Sequence, residues 1–238
     1  MVSYGESVKK PFTDLKKLLI GILLSIIPIV NFTVVQGFAM ESSGVGKAKP
    51  SKSMPEWKEW RQLFVKGLAA AVIKIIYMLP ALVVIAVAVG LAIGDIASAL
   101  LGTVVTPDLM NQIKAGETTP EQVQMLFREN WYLILPTVMK LAPIFLVGLL
   151  LLLIAAFLTP MAVLNYLKKR KFSAAFELST VARKALTGKY ILTWLVVIVL
   201  AIVLGMILSL IPLLGPAILL FLISVISYSL FGQAYREA

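Results

Sequence analysis

Residues Tyr190 to Tyr235 read YILTWLVVIVLAIVLGMILSLIPLLGPAILLFLISVISYSLFGQAY, 46 consecutive positions without a charged side chain. At 1.5 Å rise per residue one helix of that length would measure about 69 Å, more than twice the ~30 Å hydrocarbon core of a bilayer. The stretch IPLLGP at Ile211 to Pro216 interrupts the run, and proline removes a helix hydrogen bond. The run therefore predicts two spans, 190–211 and 212–235, joined as a hairpin with helix breaks at Pro212 and Pro216.

Two further spans lie upstream. Ile75 to Gly94 is 20 residues without a charge, and Leu141 to Leu167 is 27, bounded by Lys140 and by KKRK from Lys168. Each is long enough to cross a membrane. The composition agrees, with 60% hydrophobic residues and a mean hydropathy of +0.94 over 238 residues, above the usage of soluble domains. We expect an all-α, polytopic integral membrane bundle forming a single domain over 1–238. The chain has no cysteine and no histidine, which removes disulfides, thiol nucleophiles, imidazole bases and the commonest zinc ligands. The first apolar stretch follows four lysines and lacks a small-residue cleavage site, so an uncleaved N-terminus is expected.

Lysine and arginine set the orientation. Residues 1–17 carry 4, residues 41–62 carry 5 and residues 168–189 carry 7, against only Lys114 and Arg128 between Asp95 and Trp131. The positive-inside rule then predicts a cell-membrane protein with both termini cytoplasmic and an outer segment over 95–130. The tail and residues 41–62 share one side only if the stretch 18–40, with SIIPIVNF at its centre, returns to where it entered. Broken at Pro28 to Asn31, it reads as a re-entrant hairpin; an ordinary kinked span is the alternative. ILLSIIPIVNF from Ile22 echoes MILSLIPLLGP from Met206, so the two breaks read alike.

The basic regions are amphipathic. Over 57–74, Lys58, Gln62, Lys66, Ala70 and Lys74 recur four apart while Trp60, Phe64, Gly67, Ala71 and Ile75 form an apolar line. This predicts an interfacial helix with Trp57, Trp60, Lys58, Lys66 and Lys74 at the lipid surface, turning inward near Pro80. Residues 172–187 repeat the pattern, and Val8, Phe12, Leu15 and Leu19 beside Lys9, Lys10, Lys16 and Lys17 give a shorter one. The partners implied are the anionic inner leaflet, another membrane protein or a second copy of the chain; nothing points to nucleic acid.

Chemical motifs are few. GVGKA at Gly44 to Ala48 has Glu41 where a phosphate loop needs glycine and Ala48 where it needs Ser or Thr. NFT at Asn31 falls at membrane depth, so it is no glycosylation acceptor. Glu56 and Glu59 open a helix, where carboxylates complement the dipole, and Ser7 and Lys10 match S-x-x-K without its companion motifs. We expect no catalytic residues, no cofactor and no metal. Ala86, Gly90, Gly94 and Ser98 form a small-residue ridge suited to helix packing. Asn31 and Asn165 are the candidate polar groups in the membrane. Lys74, Asp95, Lys140 and Lys168 fall at span ends, where they would snorkel to water.

PFTDLKKLLIGILLSIIPIVNF, GFAMES, PEWKEWRQLFVKGL and LNYLKKRKFSAAFELSTV occur in that order. Together they resemble the prokaryotic, often archaeal, membrane family of unknown function DUF4013, with Pro55 to Trp60 and Ser173 to Glu177 as the most specific parts. The resemblance implies a multipass membrane protein without assigned activity, and carries over no catalytic residue. The residues favour a non-enzymatic scaffold or accessory subunit that engages anionic lipid or a partner. The alternative is a small permease or channel using the broken helices at Pro28–Asn31 and Pro212–Pro216.

Overall fold

The computed structural model describes residues 2–47, 52–103, 106–117, 119–129, 131–212 and 214–238. Every regular element among them is helical. Four helices are long and apolar enough to cross a membrane: Trp60–Ala99, Ile134–Lys169, Gly188–Leu208 and Leu214–Glu237. The chain forms two compact units, Met1–Tyr77 with Ala155–Ala238, and Met78–Ile154.

In the first unit, α1 (Tyr4–Lys9) leads through a 3₁₀ turn at Lys10–Thr13 to α2 (Leu15–Ser25). Asp14 caps α2 by accepting from the Lys17 amide at 3.1 Å, which satisfies an amide that the helix itself leaves unpaired. Eleven residues make only about 16 Å of helix, half a hydrocarbon core. The chain turns at Ile26 and Ile27, and Pro28 opens the next helix at a position where its missing N–H costs nothing. There follow α3 (Pro28–Val30), a π-helical segment Asn31–Val35 and α4 (Gln36–Ser42).

The second arm returns to the start of the first. Lys10 Nζ donates to the Ser42 carbonyl at 2.7 Å, and the Trp57 indole donates to the Lys17 carbonyl at 3.1 Å while its ring stacks on Phe38 at 3.8 Å. The tip is apolar and exposed, with Ile29 at 74%. The Ile22 and Met206 segments do occupy matching places. Ser25 ends α2 as Ser209 follows α10 (Gly188–Leu208), and each hydroxyl donates to a carbonyl of the preceding turn. Pro212 lies in the turn that precedes α11 (Leu214–Glu237), and Pro216 lies in the first turn of α11.

α5 (Trp60–Thr103) begins three residues later than the expected interfacial helix and continues unbroken through Pro80, so no turn inward occurs there. Its first turns cross the returning arm closely: a Cβ on Gly37 would stand 1.9 Å from the Leu63 carbonyl oxygen, and one on Gly67 would stand 1.7 Å from that of Thr33. The two glycines let the backbones touch. α11 is the central helix of this unit, with Phe221, Val225, Ile226 and Leu230 almost fully buried. The residues Phe172–Leu186 form a 3₁₀ turn at Phe172–Phe176 and α9 (Leu178–Ala185).

In the second unit, the outer segment contains α6 (Pro107–Ala115) and α7 (Pro120–Glu129). Thr106 caps α6, while Thr119 and Gln122 exchange the reciprocal bonds of a capping box at α7. α8 (Ile134–Lys169) starts seven residues before the predicted span at Leu141. Asp95 and Lys140 pair at 2.8 Å. A Cβ on Gly90 or Gly94 would meet nothing within 4 Å, so that ridge is not packed among the described residues.

Candidate functional site

The basic residues converge on a groove in the first unit. A cavity of about 1040 Å³ is lined by the start of α5, the loop after α4 and the end of α8, with Lys47, Lys58, Arg61, Lys66 and Arg170 facing Glu41, Glu56 and Glu59. Two of the three carboxylates are already engaged. Glu41 binds Lys47 and Lys66, each at 2.6 Å, and Glu56 binds Lys17 at 2.6 Å. Burial pushes the Glu41 carboxyl up, but the hydrogen bonds and charges of Lys47 and Lys66 outweigh it and hold the group below its ordinary value. Hydrogen bonding from Lys17 does the same to Glu56. Lys58, Arg61 and Arg170 make no ion pair among the described residues, and with five basic side chains against three carboxylates the groove carries a net positive charge.

The local backbone explains the shape. Gly44 and Gly46 have φ of +66° and +80°, a region that glycine enters without steric cost. GVGKA is thus a turn at the end of α4; Ala48 lies outside the described residues. Arg170 ends α8 at φ +54° and Glu59 precedes α5 at +57°.

Several residues expected at the lipid surface are engaged within the chain. Trp57 is half-buried between Phe38 and Trp60, its indole tied to Lys17. Lys66 is half-buried in its pair with Glu41, while Lys58 and Trp60 are exposed. Lys74 does not mark a span end: exposed Leu68, Val72, Ile75 and Leu79 flank it on α5, and its ammonium turns inward to Gln36 Oε1 at 3.1 Å. Periodicity placed it on the polar stripe; only the neighbouring arm shows which way that stripe faces.

Asn165 is buried and joins three elements. Its amide donates to the Ala174 carbonyl at 2.7 Å and its oxygen accepts from Tyr235 at 2.7 Å. It ties α8 and α11 to the SAAFE turn, whose Glu177 is held below its ordinary value by a hydrogen bond from Lys169. Asn31 is buried in the π-helical segment, and its side-chain oxygen has no hydrogen-bond partner among the described residues. Ser7 contacts Ser229 and Gln233, and with Lys10 and Arg236 it lines a smaller cavity of about 290 Å³. There Lys10 and Arg236 donate to the last carbonyls around α4, at Ser42 and Ser43, which is the favourable place for cations at a helix C-terminus.

A family model described as "Protein of unknown function (DUF4013)" matches residues 20–213. The chain belongs to the DUF4013 family. No curated protein and no solved structure matches it. In this DUF4013 protein every residue lining the basic groove falls inside the matched range, as do Pro55 to Trp60 and Ser173 to Glu177.

Proposed function

We propose that this DUF4013 protein is a non-enzymatic membrane scaffold or accessory subunit that holds anionic lipid headgroups in its basic groove. The observation that carries this reading is the set of Lys58, Arg61 and Arg170, three cations without an ion-pair partner among the described residues on one cavity of about 1040 Å³. Each basic residue near an anionic leaflet contributes about 1 kcal/mol, and Trp60 beside them suits the headgroup level. In this reading the groove faces the cytoplasm of the cell membrane, both termini lie on that side, and the broken hairpin Leu15–Ser42 enters and leaves the same leaflet. The short arms and exposed apolar tip support that last element.

Quenching of Trp60 by brominated lipid in reconstituted vesicles tests the reading. Brominated phosphatidylglycerol should quench at least fivefold more effectively than brominated phosphatidylcholine. The preference should fall to unity at high salt and in the Lys58→Gln/Arg61→Gln/Arg170→Gln variant. Equal quenching by both lipids in the unmodified protein would overturn it.

A further inference from the structure

A third polar cavity, of about 190 Å³, lies where α4, α5, α8 and α11 meet, lined by Gln36, Lys74, Thr159, Ser224, Ser227 and Tyr228 together with the apolar Pro160, Ile223 and Phe231. No carboxylate lines it, and Lys74 forms no ion pair among the described residues. Lys74 lies among exposed apolar side chains on a helix long and apolar enough to span a membrane, and a cation within such a span is expensive and persists chiefly for function. Of the other polar groups, the Thr159 hydroxyl donates to the Ala155 carbonyl at 2.5 Å, and the hydroxyls on α11 are the ones free to donate. Lys74 gives one of its three N–H groups to Gln36 at 3.1 Å, and Gln36 gives its amide to Ser224 at 3.0 Å, while the Ser224 hydroxyl donates to no described residue. The Ser227 and Tyr228 hydroxyls make no hydrogen bond to any described residue. Positions 224, 227 and 228 fall on one face of α11 by helical spacing.

A cavity with one ammonium, three available hydroxyl protons and no anion is built for an anionic oxygen ligand. A neutral ligand would leave the ammonium uncompensated, and a metal ion would be repelled by it. Pro160, Ile223 and Phe231 supply an apolar wall, and the cavity belongs to helices apolar enough to span a membrane. We propose that this cavity binds the carboxylate of a fatty-acid-like amphiphile, with Lys74 pairing the head, Ser224, Ser227 and Tyr228 donating to its oxygens, and the first methylenes against Pro160, Ile223 and Phe231. The site shares no residue with the basic groove, so its test is independent of the lipid-headgroup reading.

The experiment titrates a pyrene-labelled long-chain carboxylate into the full chain in a neutral detergent. Saturable binding is expected, at least tenfold weaker for the primary amide of the same probe. Binding should fall at least tenfold in Lys74→Met and be retained in Lys74→Arg and in Lys58→Gln/Arg61→Gln/Arg170→Gln. Should Lys74→Met fail to fold, Ser227→Ala/Tyr228→Phe takes its place and should weaken the carboxylate several-fold while leaving the amide unchanged. Equal binding of carboxylate and amide, or an unchanged affinity in these cavity variants, overturns the proposal. Displacement of the probe by acetate or inorganic phosphate at the probe's own concentration overturns its amphiphile part, because a free anion would then satisfy the site.

Discussion

The crossing of the returning arm over α5 makes Gly67→Ala the most informative single substitution. The added Cβ would sit 1.7 Å from the Thr33 carbonyl oxygen, whereas real Cβ atoms essentially never approach a heavy atom under 3.0 Å. The obstacle is backbone and cannot rotate away, so the helices must part by at least 1.3 Å. A radial gap of 0.5 to 1 Å already forfeits about a quarter to a half of a dispersion contact, and overpacking costs roughly 1–3 kcal/mol. The upper end applies here, offset by the ~1 kcal/mol that alanine contributes over glycine inside a helix. A net destabilisation of about 2 kcal/mol results. Gly90→Ala is the control, since its Cβ meets nothing within 4 Å and should be neutral or stabilising by up to ~1 kcal/mol. Reversible unfolding in mixed micelles, followed by tryptophan fluorescence, reads both, because Trp57 stacks on Phe38 beside the crossing. If Gly67→Ala unfolded together with Gly90→Ala, the close approach would be refuted.

Lys10 is held down to about 8, first by burial and then by the charges of Lys47 and Arg236. Between pH 8 and 10.5 the unfolded chain keeps a proton that the folded chain has lost, so stability should rise with pH across that window, by about 3 kcal/mol in total. Unfolding midpoints from pH 7 to 11 should show this rise in the native chain relative to Lys10→Met; parallel curves would contradict it. Asn165→Leu strands the buried Tyr235 hydroxyl and the Ala174 carbonyl and should cost about 3 kcal/mol, with Tyr235→Phe near 1 kcal/mol. Because the two residues share one bond, the double variant should cost less than the sum of the singles in chemical denaturation; strict additivity would refute the shared bond.

The fold class follows from the sequence because crossing a bilayer demands a length of uncharged residues that little else requires. The long run Tyr190 to Tyr235, its interruption at Pro212 and the spans around 75–94 and 141–167 were all legible on that ground. So was the break at Pro28, since proline acts on its own turn of backbone. The helices α6 and α7 also have local signals, Thr106-Pro107-Asp108 and Thr119-Pro120-Glu121-Gln122, which are capping patterns independent of apolar periodicity.

Side-chain direction was decided only in three dimensions. Lys66 and Lys74 share one stripe by spacing, yet Glu41 takes the first and Gln36 turns the second inward. Gly90 and Gly94 show the small-residue pattern and pack against nothing described, while Gly37 and Gly67, from different elements, carry the contact. Helical period reports which residues share a face; what covers that face depends on partners dozens to hundreds of positions away. The polar cavity illustrates the limit: Gln36, Lys74 and Ser224 lie on three helices, and only their packing brings one ammonium and three hydroxyls around a common space.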